Sequence, residues 1–119
     1  MRLLIVDDNR RFLGAARALL EREGLEVVGV ASTVTQALQQ AGELSPDLLL
    51  VDIMLGHESG FELTRRLLEN GRSKGPAVIL ISTHSEADFA DLIAESQAAG
   101  FVPKSELSAD AIRRILASR

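Results

Sequence analysis

Four continuous aliphatic runs punctuate the chain, Leu3–Val6, Val27–Val30, Leu48–Val51 and Val78–Ile81, and a weaker one, Phe101–Val102, follows them. Each is a few residues long and does not alternate with polar residues. Runs of this kind suit strands buried on both faces, the condition of a parallel sheet. The segments between them carry helical period. Phe12, Ala15, Ala16, Leu19 and Leu20 form one stripe, with Gly24 placed to end it. Val34, Ala37, Leu38 and Ala41 form a second, with Thr33 or Ser32 as cap and Gly42 near its end. Phe61, Thr64, Leu67 and Leu68 form a third, opened by Ser59 and closed near Gly71, and Phe89, Leu92, Ile93 and Ser96 form a fourth. Ile112, Ile115 and Leu116, capped by Ser108, form the last. Strand and helix therefore alternate five times, which predicts a parallel sheet with helices on both faces and right-handed crossovers.

The 119 residues make one domain, able to bury roughly two thirds of its unfolded surface. Asn70–Pro76 (NGRSKGP) reads as the most flexible loop. Thirteen Lys and Arg against seventeen Asp and Glu leave a formal net charge of −4, which argues against this segment itself wrapping nucleic acid or lying on an anionic membrane. The absence of cysteine excludes a disulfide framework, a thiolate zinc site and a cysteine nucleophile. The opening MRLLIVDDN is too short an apolar stretch for a signal peptide or a spanning helix, so a soluble, cytoplasmic domain without membrane attachment is expected.

In open parallel sheets, ligands bind beyond the carboxyl ends of the strands. Asp7 and Asp8 follow the first run, Asp52 the third, Ser82 and Thr83 the fourth, and Lys104 lies two residues past Val102. Singly, each has a plain structural reading: a helix cap for the Asp-Asp-Asn step, a turn at Asp52, a cap at Ser82, a solvated loop charge at Lys104. Together, three carboxylates, a hydroxyl and an ammonium fall at one edge of one sheet. Clustered acids repel and need positive charge to stay ionised. Lys104 supplies one charge and a divalent cation would supply two. Mg²⁺ suits oxygen ligands from a few carboxylates completed by phosphate oxygens. The set fits transfer of phosphate onto a protein carboxylate.

With the segments LLIVDDN, LLLVDIMLGHESG, VILIST and AAGFVPKS, and with Asp52 preceding Gly60 by eight residues, Ser82 by thirty and Lys104 by fifty-two, the chain resembles the receiver domain of bacterial two-component response regulators. The resemblance implies a (βα)5 flavodoxin-like, doubly wound sheet in the order 2-1-3-4-5. It implies that Asp52 is the phosphoacceptor, that Asp8, Asp52 and the Met54 carbonyl bind Mg²⁺ with Asp7 acting indirectly, and that Ser82, Lys104 and the Thr83 backbone N–H bind the phosphoryl group. Ser82 and Phe101 would form a switch, Phe101 rotating inward as Ser82 is recruited; the alternative for Phe101 is a permanently buried core aromatic. The implied partner is a sensor histidine kinase, and a homodimer formed on phosphorylation is a further expectation. Such a domain catalyses only its own phosphorylation and dephosphorylation.

Several positions depart from the usual pattern of that family. Gly56 replaces a common proline, giving a freer loop, and His57 beside it reads as solvated. Ser105 follows Lys104 where proline is common, Phe101 replaces tyrosine, Gln97 stands where glycine often ends the fourth helix, and Thr83 is bulkier than usual. Lys104-Ser105 together with His84 is similar to the subgroup whose output is a LuxR-type helix-turn-helix. This suggests the N-terminal part of a longer DNA-binding regulator, against the alternative of a stand-alone receiver that docks on a partner. Met54 and His84 would flank the path of the hydrolytic water, where apolar Met54 would slow hydrolysis. An aspartate-nucleophile phosphatase would need a second acid where Met54 stands, and a dinucleotide binder would need a glycine-rich loop where DDNRRF stands.

Overall fold

A computed structural model describes residues 1–69 and 75–118. The five aliphatic runs are the strands β1 (Arg2–Val6), β2 (Glu26–Ala31), β3 (Leu48–Asp52), β6 (Ala77–Ser82) and β7 (Gly100–Pro103). Two further two-residue strands, β4 (Met54–Leu55) and β5 (Glu58–Ser59), pair antiparallel with each other. The long strands form one parallel sheet in the order β2-β1-β3-β6-β7, the 2-1-3-4-5 order when the small hairpin is left out. Helices α1 (Arg10–Arg22), α2 (Val34–Leu44), α3 (Gly60–Leu68), α4 (Ala90–Glu95) and α5 (Ala109–Ala117) connect them.

Alternation along the buried strands sorts the core into two layers. Leu3, Ile5, Leu48, Leu50, Ile79 and Ile81 face α1 and α5, meeting Leu13, Ala16, Leu20 and Ile112. Leu4, Val6, Leu49, Val51, Val78 and Leu80 face the other way, onto Val34 and Ala37 of α2 and Leu63 of α3. Burial on both faces explains why no polar residue interrupts the runs.

The helices differ from the sequence expectation in three places. On α1 the buried positions are Leu13, Ala16 and Leu20, while Ala15 is exposed, so the inward stripe is turned by about one residue. Thr33 caps α2 and Gly42 lies near its end, as expected; the last helical residue is Leu44, and Ser45 takes the left-handed closing conformation at φ 47°. The fourth helix is short: a 3-10 turn at Glu86–Phe89 precedes six helical residues, none buried, and Leu92 is 50% exposed. Ser96, expected in that stripe, instead ends the helix. Its hydroxyl donates to Ile93 O at 2.7 Å and accepts from Ala98 N–H at 3.3 Å, a local alternative to helical bonding. For α3, Ser59 caps the start and Leu68 is the last helical residue; Gly71, and most of the loop expected at Asn70–Pro76, lie outside the described residues.

The loop after Asp52, expected to be free because of Gly56, is the β4–β5 hairpin. Gly56 and His57 are its two-residue turn, with Gly56 at φ 62° and His57 at negative φ, the pattern of a type II′ turn. Gly60 then allows α3 to approach β3 closely: its N–H donates to Ile53 O at 2.8 Å, and a Cβ there would lie 2.0 Å from the Asp52 carbonyl oxygen. Gly60→Ala should therefore destabilise the domain by about 1–3 kcal/mol or more through forced displacement of backbone, measured as a lower urea midpoint; an unchanged midpoint would show that β3 and α3 can part freely.

Candidate functional site

Because all five long strands run parallel, their carboxyl ends share one edge. The register sets Val6 beside Val51, Asp52 beside Ile81, and Ser82 beside Pro103. Asp7 and Asp8 leave β1 there, Asp52 is the last residue of β3, Ser82 the last of β6, and Lys104 follows β7 directly. Asn9 turns the chain from β1 into α1. Its side chain caps the Phe12 N–H, and its own N–H donates to Asp7 Oδ1 at 2.9 Å.

Carboxylate oxygens of Asp7, Asp8 and Asp52 all lie within 4.8 Å of one another. Asp7 is fully buried, Asp52 is 5% exposed, and Asp8 faces solvent. The Lys104 ammonium reaches both buried acids, lying 2.6 Å from Asp7 Oδ2 and 3.2 Å from Asp52 Oδ2. Only the second contact has hydrogen-bond geometry, so Asp7 Oδ2 is a buried oxygen with a charge beside it and no directed donor. Asp52 Oδ1 accepts from the Met54 N–H at 3.2 Å. The Phe12 ring packs over the ammonium, 4.5 Å from nitrogen to ring centroid, a cation–π contact.

These neighbours set the protonation equilibria. Burial, and then the Asp7 charge, raise the Asp52 pKa from 3.8 to about 6 against the opposing pull of Lys104 and the Met54 N–H. For Lys104, burial pulls downward, but contact with the Asp7 and Asp52 carboxylates outweighs it and holds the ammonium above its ordinary range. Net negative charge and an undirected buried oxygen are what a hard divalent cation would satisfy. The donor set therefore fits Mg²⁺.

Of the residues singled out from the sequence, Lys104 contacts Asp7 and Asp52 directly, Asp8 brings its carboxylate within 4.8 Å of theirs, and Met54, 51% exposed, joins them through its N–H. Ser82 is buried at the same edge, one strand over. Its Oγ accepts from the His84 N–H at 2.9 Å, across the exposed Thr83. Phe101 is 9% exposed and packs in the apolar layer with Leu63 and Leu80. Every described peptide bond is trans, including Lys104–Ser105. His84 packs edge-on against Phe89, and Phe89 meets Phe61 on α3.

Sequence reasoning missed three members of this neighbourhood. Phe12 was assigned to the helix stripe; its place four residues after Asp8, one turn into the helix that starts at the sheet edge, was the available signal. Gly56 brings the hairpin turn close to Asp8, where a Cβ would lie 3.6 Å from Oδ2. Glu58, on the same hairpin, accepts from the Val34 N–H at 3.0 Å.

The fold and the acidic, lysine-bearing edge define a CheY-like variant of the flavodoxin-like α/β class. The pattern of the response regulator receiver domain matches residues 3–116, and the chain belongs to that family. It is 35% identical to the response regulator GacA of Pseudomonas aeruginosa over 124 aligned positions, covering 100% of this chain and 56% of that protein. It is 36% identical over 106 residues to BvgA of Bordetella pertussis, named for transcription regulation of virulence factors, covering 88% of this chain and 49% of BvgA. A LuxR-family two-component response regulator from Aurantimonas sp. SI85-9A1 superposes with a TM-score of 0.83 at 29% identity, covering 99% of this chain and 86% of that one. The chain spans about half the length of the curated relatives it matches. No helix among the described residues is long and apolar enough to cross a membrane.

The raised Asp52 pKa carries a stability consequence. The folded state binds this proton more tightly than the unfolded chain, so the associated stability is full below about pH 4 and is lost as pH rises through about 6. In metal-free buffer, Asp52→Asn should raise stability at pH 7.5 by on the order of 1–3 kcal/mol, a gain that fades towards pH 4. Thermal melts across that range check it, and a gain that grew on acidification would contradict the assignment.

Proposed function

We propose that Asp52 accepts a phosphoryl group from a phosphohistidine of a sensor histidine kinase, and that residues 1–119 are the receiver part of a longer transcription regulator. Three things support this: the convergence of Asp7, Asp8 and Lys104 on Asp52, membership of the receiver family, and relatives about twice this length that are named as response or transcription regulators. The DNA-binding output would be a helix-turn-helix outside this segment, with phosphorylation favouring a homodimer. The observation that carries the reading is the shared ammonium, 3.2 Å from Asp52 Oδ2, with Asp7 and Asp8 oxygens alongside.

Above about pH 6 the Asp52 carboxylate is ionised and nucleophilic. One of its oxygens attacks phosphorus, an O–P bond forms, and the P–N bond breaks. The donor imidazole keeps the electron pair of that bond and takes up a proton if it leaves as the anion. Lys104 and Asp52 are already in contact, so the ammonium can follow charge from the carboxylate to the phosphoryl oxygens. Ser82 Oγ accepts from the His84 N–H and lies 3.5 Å from His84 Nδ1, and its hydroxyl would turn to donate to a phosphoryl oxygen. The Thr83 N–H, on the bend between them, is the proposed second donor. Asp8, Asp52 and the Met54 carbonyl would hold Mg²⁺, with Asp7 acting indirectly, and the ion supplies the positive charge that lets an anion approach three acids. In the proposed switch, recruitment of Ser82 draws the loop after β6 inward and Phe101 rotates into the space it vacates. That loop also carries His84 and its contact with Phe89.

Incubation with a small acyl phosphate and Mg²⁺ should label the wild type and leave Asp52→Ala unlabelled; equal labelling would remove Asp52 as acceptor. Asp8→Ala should weaken Mg²⁺ binding by about tenfold or more, read by calorimetry, and an unchanged affinity would strike Asp8 from the ligands. With its side chain exposed at the mouth of the pocket, apolar Met54 should hinder the hydrolytic water. Met54→Asn should then dephosphorylate faster, and an unchanged rate would refute this.

A further inference from the structure

The β4–β5 hairpin forms one wall of the acidic pocket. Its Met54 N–H holds Asp52 Oδ1, and the Gly56 turn lies close to Asp8 Oδ2. A hairpin of two residues per strand is marginal by itself, so something else must fix its position. One anchor is Leu55, buried in the apolar layer. The other is polar: Glu58, the register partner of Leu55, places its Oε1 3.0 Å from the N–H of Val34, the first residue of α2. That N–H belongs to a helix start already capped by Thr33, and it is one of the donors that a helix leaves without an internal partner. A carboxylate there is favoured by the helix dipole as well. Val34 is itself buried against the sheet, so Glu58 ties a short exposed hairpin to a rigid element.

We propose that Glu58 is a positioning residue: it latches the β4–β5 hairpin to the start of α2 and so holds the Met54 backbone against Asp52. The inference rests on the phosphoacceptor reading only where it concerns Mg²⁺; the latch itself is a mechanical claim about the hairpin. Asp52 and Asp8 would receive their neighbours from the hairpin at fixed positions only while Glu58 stays on Val34.

The test compares the wild type with Glu58→Ala, which removes the acceptor, and Glu58→Gln, whose amide oxygen can accept the same bond without charge. The first readout is backbone ¹⁵N relaxation at Met54, Gly56 and His57 in Mg²⁺-free buffer. Order parameters should sit near about 0.85 in the wild type and Glu58→Gln and fall towards about 0.6 in Glu58→Ala. The second is Mg²⁺ affinity by calorimetry, expected to fall about three- to tenfold in Glu58→Ala and to stay within about twofold in Glu58→Gln, by analogy with loss of groups that support metal ligands. A residue that merely caps α2 would lower the melting temperature of Glu58→Ala and leave hairpin order and Mg²⁺ affinity where they were; that result overturns the latch. So does a weakened Mg²⁺ affinity in both variants with the hairpin still rigid, which would make Glu58 a distant charge. Should the wild type bind no Mg²⁺, the phosphoacceptor reading fails, and the order parameters alone decide the latch.

Discussion

Two buried carboxylates share one ammonium at the edge of the sheet, with a third carboxylate at the surface beside them. Lys104 touches Asp7 at 2.6 Å and Asp52 at 3.2 Å, and Asp8 brings a further negative charge within 4.8 Å. One positive charge cannot balance three negative ones. Burial, and then the Asp7 charge, raise the pKa of Asp52, and Asp7 keeps a buried oxygen with no directed donor. Buried pairs of this kind are poor contributors to stability. Such a pair is understandable if its unbalanced charge serves the proposed cation binding and phosphoryl transfer.

Everything else in the domain serves to bring those groups together. A parallel sheet places all strand ends on one edge, and burial on both faces fixes the register that sets Val6 beside Val51 and Asp52 beside Ile81. Local devices then orient the side chains. Asn9 ties Asp7 to the start of α1, Gly60 lets α3 close against the Asp52 backbone, Phe12 covers the ammonium, and the β4–β5 hairpin brings the Met54 N–H onto Asp52. The opposite property marks the far side of β6: α4 is short, buries no residue and leaves Leu92 half exposed. Elements with few buried contacts open most readily, and α4 is such an element among the described residues.

The sheet and its site were largely legible in the sequence, for a physical reason. Strands buried on both faces must be continuously apolar, as Leu3–Val6 and Leu48–Val51 are, and the residues just beyond them reach the ligand edge whatever the details of packing. What escaped depended on short-range geometry or on packing across the fold. Two-residue strands are too brief to show alternation, so the hairpin at Met54–Ser59 read as a loop, although Gly56 was the residue its turn required. The inward face of α1 was misplaced because Ala15 and Ala16 are equivalent in composition and only contact with β1 distinguishes them. Ser96 was counted in an amphipathic stripe, whereas its hydroxyl bonds its own backbone and stops the helix.

The central claim is that the acidic edge is a metal pocket built around Asp52, with Lys104 as its resident counter-charge. Crystals soaked in Mn²⁺, whose oxygen-ligand preferences resemble those of Mg²⁺, test this by anomalous scattering. The account predicts a single strong peak among the Asp7, Asp8 and Asp52 oxygens. A peak elsewhere on the surface, or none in this pocket at a concentration that saturates other receiver domains, would contradict it.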